Sequence, residues 1–150
     1  MLIATPRVEN PRLTPLMPYY HVWFSPKNRE AILEGAIAEI TRAKLVEAAA
    51  TRGITLVECE MGYDHVHMLL ELHEGQALPS VMHLLKGISA HRVFEEVPEL
   101  KIDLRHTSFW QRGYGYRKVG ALELSRVRRY IRNHREVSEP RVFNPRGRSS

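Results

Sequence analysis

Two histidines stand one residue apart, His65 and His67, at the head of an apolar run in MGYDHVHMLL, residues 61–70. Side chains alternate between the faces of a β-strand, so both imidazoles would point to one face, about 6 to 7 Å apart along the strand. Two imidazoles at that spacing could bind one metal ion. The apolar residues that alternate with the histidines, Val66, Met68 and Leu70, would then face a core. On the spacing alone, the histidines could equally be ordinary polar residues of a half-buried strand.

A tyrosine and a further histidine occur together in SRVRRYIRNHREV, residues 125–137. Apolar residues recurring every three to four positions predict an amphipathic helix, on which Tyr130 and His134 share a face. A phenolate oxygen can both attack a phosphate and leave it, as a covalent intermediate requires. A free phenol has a pKa of about 10, so its attack at neutral pH needs positive charge nearby to stabilise the phenolate. Taken alone, Tyr130 could also be a packing residue of the helix.

The positive charge is concentrated at the C-terminal end. The formal net charge is +5, and residues 126–150 contain eight arginines and two glutamates, so this end carries +6 and the remainder −1. A basic stripe at one end is typical of proteins that bind a phosphate backbone. The alternative is a solvated helix face followed by a charged tail.

Composition limits the class of protein. A chain of 150 residues, 43% of them hydrophobic, predicts one domain with a core of its own. The single cysteine, Cys59, excludes an intramolecular disulfide and a cysteine-based zinc cluster. Neither a signal peptide nor a membrane span is indicated, so we expect a cytoplasmic protein without a membrane partner. The predicted organisation is a proline-rich arm at 1–18, a domain at 19–137 and a basic tail at 138–150.

The pattern of apolar residues and turn residues predicts an α+β fold. The element order β-α-β-β-α-β-α is the ferredoxin-like split βαβ arrangement with an added C-terminal helix. It predicts an antiparallel sheet with two packing helices. The predicted strands are 19–24, 54–61, 65–72 and a stretch within 108–119, and the predicted helices are 29–52, 79–96 and 122–136.

Five segments, in order, resemble the single-tyrosine HUH transposases of small bacterial insertion sequences, the TnpA-like proteins, and their domesticated relatives that act at repeated palindromes. The resemblance implies ferredoxin-like homodimers in which each tyrosine helix completes the partner's site. It also implies cleavage and rejoining of single-stranded DNA beside a hairpin. The segments are YHVWFSPKNR, DHVHMLL at 64–70, LLKGISAHRVFEE at 84–96, FWQRGYGYRKVG at 109–120 and RRYIRNH at 128–134.

Carried over residue by residue, the resemblance makes Tyr130 the nucleophile of a 5′-phosphotyrosine intermediate and His65 and His67 ligands of a divalent metal ion. The family has glutamine four residues after the tyrosine as a further ligand, whereas this chain has His134. We favour His134 over Asn133, its neighbour. Magnesium or manganese is expected, or a softer ion because three imidazoles suit one better. Asp64 is a candidate partner for an N–H of a ligand imidazole, or a residue that closes the turn.

Cations within the matched segments are candidate DNA contacts, because arginine and lysine bind phosphates. They are Arg128, Arg129, Arg132, Lys86, Arg92, Arg117 and Lys118.

Other classes of protein remain open from the residues alone. The spacing from His65 to Glu71 is that of a cupin metal site, but the two long predicted helices argue against an all-β barrel. A histidine-triad nucleotide hydrolase would need a histidine at Leu69. A non-catalytic nucleic-acid-binding module could use the same sheet, and a domesticated palindrome-processing endonuclease could use the same residues. Only the enzymes with a tyrosine nucleophile would become covalently joined to DNA.

Overall fold

The computed structural model describes residues 18–105 and 108–134, which form four strands and four helices. The predicted α+β fold is confirmed, and the element order agrees with the prediction apart from one short added helix. Two short 3₁₀ turns accompany these elements, at Lys27–Arg29 and Ala121–Glu123. The elements are β1 (Tyr19–Phe24), α1 (Gly35–Thr51), β2 (Thr55–Met61), β3 (Val66–Glu71), α2 (Leu78–Glu96), α3 (Glu99–Asp103), β4 (Gly115–Val119) and α4 (Leu124–Arg132).

The strands form one antiparallel sheet in the order β2-β3-β1-β4, so β3 and β1 lie in its centre. In the register of β1 and β3, His21 lies opposite Leu69 and Trp23 lies opposite His67. Residues directly opposite one another share a face of a sheet. The side chains of His21 and His67 therefore lie on the same face, as diagonal neighbours.

The two faces of β3 serve different parts of the molecule. As predicted, Val66, Met68 and Leu70 belong to the main core, which the sheet forms with α1 and α2. Leu69 points to the opposite face and packs with Val119, Val127 and Ile131 in a second, smaller cluster. This second cluster fixes α4 over β2 and β3. His67 of β3 therefore lies on the face that α4 covers.

The first helix is shorter than the sequence predicts. It begins at Gly35 rather than at residue 29, because Asn28, Arg29 and Gly35 all have positive φ, which a right-handed helix cannot continue through. The backbone N–H of Leu33 instead donates to the carbonyl of Tyr63 at 2.9 Å, joining this segment to the turn between β2 and β3. The helix ends as predicted, with Gly53 in the left-handed conformation just beyond it.

The ends of the chain lie outside the described residues. The predicted arm, the tail from 138 and positions 135–136 of the predicted C-terminal helix fall largely or wholly there, so the domain boundaries stay predictions. Within the described residues, α4 is shorter than predicted: it begins at Leu124 because Ala121–Glu123 form a 3₁₀ turn, and its C-cap is Asn133. Within the two described ranges, no helix combines the length and the apolar character needed to cross a membrane.

Candidate active site

The turn that leads into β3 sets the position of His65. The N–H of Gly62 donates to the carbonyl of His65 at 2.7 Å, which closes the connection between the two strands. A Cβ atom at Gly62 would lie 2.3 Å from Cε1 of His65, closer than van der Waals contact permits. Only glycine therefore leaves room for the imidazole of His65 at this place.

Three histidines come together above the sheet where the sequence predicts ligands of one metal ion. His65, His67 and His134 each offer a ring nitrogen, and these atoms all lie within 4.8 Å of one another. All three side chains are buried, at most 1% exposed. Nε2 of His65 and Nε2 of His134 lie 2.6 Å apart. Asn133, the other candidate, is exposed and forms the C-cap of α4 instead.

The Nδ1 atoms of His65 and His67 have partners of different kinds. Nδ1 of His65 lies 2.7 Å from Oδ1 of Asp64, whose other oxygen is 3.7 Å from Arg29. Nδ1 of His67 lies 2.7 Å from Nε2 of His21, a residue of β1. Asp64 thus has the contact that the sequence suggested. His21 was not predicted, because it is 46 positions from His67 and no sequence spacing links them.

Burial keeps the imidazoles of His65, His67 and His21 uncharged. It lowers the pKa of His67 well below its ordinary value, and the neighbouring histidines add to that effect. For His65, burial also lowers the pKa, and the hydrogen bond to Asp64 only partly opposes it. Burial, followed by the charge of Arg117, lowers the pKa of His21 to about 4. The rings are therefore neutral at pH 7, which is the form that can bind a metal ion.

Tyr130 lies beside the histidine cluster and still reaches solvent. Its ring centroid is 5.7 Å from those of His67 and His134 and 6.0 Å from that of His21. The side chain is 44% exposed, so a large substrate can approach it. Partial burial raises the pKa of Tyr130. The phenol is therefore protonated at pH 7, and any attack by its oxygen needs a site that stabilises negative charge.

Two of the candidate DNA-binding arginines also hold α4 to the sheet. Arg128 Nε and Arg132 Nη2 both donate to Oε2 of Glu58 on β2, at 3.0 and 2.7 Å. Partial burial raises the pKa of Glu58, but the two arginine hydrogen bonds outweigh it and the pKa is lowered overall. Sequence patterns did not identify Glu58, because its partners are 70 and 74 positions away. Arg129, between them, is exposed.

The other predicted DNA contacts differ in how far they remain available. Lys86 is turned inward, and its Nζ donates to the carbonyls of Gln111 and Gly113 at 2.9 and 2.6 Å. Burial lowers the pKa of Lys86 to about 8. The remaining candidate residues lie nearer solvent. Arg92 pairs with Glu47 at 3.2 Å, Arg117 pairs with Glu123 at 3.5 Å, and Lys118 is exposed on β4.

The comparison with known families agrees with this arrangement, in which a tyrosine on α4 lies beside a histidine cluster on a ferredoxin-like sheet. The family described as "Transposase IS200 like" matches residues 17–134. The chain belongs to the IS200-like transposase family. This confirms the resemblance drawn from the five segments, and it excludes the cupin and histidine-triad alternatives.

Individual members of the IS200-like family agree with this assignment. The chain is 32% identical over 117 residues to the ISDra2 transposase TnpA of Deinococcus radiodurans, a match that covers 78% of this chain and 84% of the relative. It is also 32% identical over 117 residues to the transposase for insertion sequence element IS200 of Salmonella typhimurium, covering 78% of this chain and 76% of that protein.

Solved structures share the fold. A crystal structure from Deinococcus radiodurans, assigned as a transposase, superposes with a TM-score of 0.64 at 29% identity, over 78% of this chain and 90% of that one. The structure of a REP-associated tyrosine transposase bound to a REP hairpin gives a TM-score of 0.58 at 14% identity, over 78% of this chain and 66% of that one. The second likeness is one of fold alone.

Proposed function

We propose that this IS200-like transposase cleaves and rejoins single-stranded DNA beside a hairpin, with Tyr130 as the nucleophile and a divalent metal ion on His65, His67 and His134. The observation that supports this most directly is the position of Tyr130, solvent-accessible and 5.7 Å, ring to ring, from two of three clustered buried histidines. A hairpin substrate is in keeping with the REP-associated relative of the same fold, which is bound to one.

The three histidines suit a divalent metal ion. Nδ1 of His65 faces Asp64 and Nδ1 of His67 faces His21, so Nε2 is the ring nitrogen of each that would bind the ion. A ligand histidine with its other ring nitrogen hydrogen-bonded in this way is the usual arrangement in metal sites. When bound, the ion would polarise the scissile phosphate and stabilise developing charge on its oxygens. Magnesium or manganese is the expected ion, and three imidazoles would suit a softer ion such as zinc or nickel better than magnesium.

The chain's own residues account for the chemistry of strand transfer. The phenol oxygen of Tyr130 forms a bond to phosphorus and the bond from phosphorus to the 3′ oxygen breaks. A 5′-phosphotyrosine and a free 3′ hydroxyl result, because the phenol proton passes to solvent and the departing 3′ oxygen takes up a proton from solvent. Rejoining is the reverse reaction, in which a 3′ hydroxyl attacks the phosphotyrosine. The covalent link retains the energy of the phosphodiester, so no other energy source is required. Arg129, exposed one residue before Tyr130, can contact the phosphate.

Covalent capture tests the nucleophile. Wild-type protein with manganese and end-labelled single-stranded DNA containing a hairpin from its own locus should give a labelled band at protein mass on a denaturing gel. Tyr130→Phe should bind the DNA and give no such band, because it removes one oxygen and little packing. A covalent band of wild-type intensity from Tyr130→Phe would contradict the assignment. Binding by wild type without any covalent product would favour the non-catalytic module.

A strand-joining assay distinguishes a transposase from a domesticated endonuclease of the same family. A transposase should join the captured 5′ end to a second DNA bearing a 3′ hydroxyl, whereas a domesticated palindrome-processing endonuclease should stop at cleavage.

The homodimer with shared sites is a separate proposal. Tyr130 and all three histidines come together within one chain, so this geometry does not itself require a partner. Mixed dimers of Tyr130→Phe with His67→Ala decide between the arrangements. Recovery of cleavage in the mixture means that the tyrosine of one protomer acts at the histidines of the other. Continued inactivity means that each chain builds its own site.

A further inference from the structure

A buried histidine outside the predicted metal ligands contacts one of them directly. His21 is 7% exposed, and its Nε2 lies 2.7 Å from Nδ1 of His67. The two ring centroids are 4.9 Å apart at an interplanar angle of 34°. The contact follows from the register of β1 and β3, in which the two residues are diagonal neighbours on the face below α4. Two central strands of the sheet therefore hold both rings in place.

The chemistry of a ligand imidazole fixes which ring donates this hydrogen bond. A histidine that binds metal through Nε2 carries its proton on Nδ1. Nδ1–H of His67 would thus donate, and Nε2 of His21 would accept. His21 can accept only as a neutral ring with its own proton on Nδ1.

We propose that His21 is a positioning residue, whose Nε2 accepts the Nδ1–H of His67 and so holds Nε2 of His67 toward His65 and His134. The inference rests on the proposed metal-dependent function. His21 does not touch the reacting atoms. It differs from Asp64 in kind, because a carboxylate raises the basicity of the imidazole it holds, whereas a neutral imidazole mainly fixes tautomer and orientation.

Metal titration of three variants tests this role. His21→Phe keeps an aromatic ring beside Trp23 and Tyr130 but removes the acceptor, and its affinity for manganese or cobalt should fall by about 10- to 100-fold. His21→Gln restores an acceptor oxygen and should bind much closer to wild type. His83→Phe, an exposed position on α2, is the matched control for loss of an imidazole and should not change the affinity. Circular dichroism and thermal melting establish that each variant is folded.

The tautomer of His67 gives a readout without metal. Long-range proton–nitrogen NMR correlations on the metal-free wild-type protein should show the proton on Nδ1 of His67. A proton on Nε2 would overturn the proposal, even if His21→Phe failed to fold.

The outcomes separate this inference from the function on which it rests. Wild-type protein that binds no divalent metal would overturn the proposed function, and the role of His21 with it. Wild-type protein that binds metal, together with a folded His21→Phe that binds it equally well, would overturn the role of His21 alone.

Discussion

Arg132 Nη2 of α4 donates to Oε2 of Glu58 on β2 at 2.7 Å, across 74 positions of sequence. The side chain of Glu58 is only 12% exposed, and Arg128 donates to the same oxygen. The helix that carries Tyr130 is thus held to the sheet by a charged contact as well as by its apolar seam. The arginines that form this contact keep side chains that are 43% and 56% exposed, so their role toward DNA stays a prediction.

Acid should weaken the attachment of α4 through Glu58. The pKa of Glu58 is lowered from its ordinary value of 4.5 in the folded protein, so its contribution to stability is complete above pH 4.5 and is lost as the pH falls through the lowered pKa. Glu58→Gln should reduce the free energy of unfolding at pH 7 by about 1 kcal/mol or less. Urea unfolding should show this difference shrinking below pH 4.5. Glu74→Gln, at an exposed loop position, is the control. A difference independent of pH would contradict the role of the carboxylate.

Arg129 and Arg92 should differ in their effect on DNA binding. Arg129 is exposed on α4 beside Tyr130, whereas Arg92 lies on α2 and pairs with Glu47. Removing one arginine that neutralises a phosphate reduces the number of counterions released on binding by about one. Arg129→Gln should therefore weaken binding of single-stranded DNA and lower the slope against salt, while Arg92→Gln should do little. Fluorescence anisotropy over a series of salt concentrations measures both. Equal slopes for the two variants would refute the distinction.

His134 and Asn133 should also behave differently. His134 is buried with the strand histidines and Asn133 is exposed. His134→Ala should lose metal affinity and cleavage, and His134→Gln should keep activity with a shift toward magnesium, because it supplies an oxygen ligand. Asn133→Ala should be much milder. Calorimetric metal titrations, run beside cleavage assays, report on both. The reverse order of effects would transfer the ligand role to Asn133.

Gly62→Ala should disturb the histidine cluster without changing any polar group. The new methyl would lie 2.3 Å from the ring of His65 and would force it to move. Metal affinity should fall, while the main core on the other face of the sheet remains. Gly87→Ala is the matched control, since a Cβ there meets nothing within 4 Å. In a helix this control should stabilise the protein by about 0.5 to 1 kcal/mol. Equal metal affinities in the two variants would show that the turn tolerates a side chain.

Local patterns in the sequence were enough for the four strands and the three longer helices, but they did not predict the short helix α3. Alternation along β3 correctly placed Val66, Met68 and Leu70 in the core and His67 on the other face, whereas His65 lies in the turn just before the strand. The start of α1 was wrong, because the positive φ angles at Asn28 and Arg29 leave no signature in a pattern of apolar residues.

Contacts between distant elements could not be predicted in the same way. The partners of His67 and Arg132, which are His21 and Glu58, are fixed by the register of β1 on β3 and by the docking of α4 on β2. Neither relationship has a spacing in the sequence. The arginine count correctly indicated a basic helix, but it could not show which of those charges are already neutralised within the fold.

Because side chains alternate along β3, the residues that stabilise the main core and the histidine of the candidate site lie on opposite faces of the sheet. Val66, Met68 and Leu70 contribute to the main core, while His67 points to the opposite face under α4. Substitution of His67 would remove a group of the candidate site and leave the packing of the main core in place. An inactive descendant could therefore keep the sheet, its helices and its exposed cations. The separation of the two faces means that loss of the chemistry would not by itself require loss of the fold.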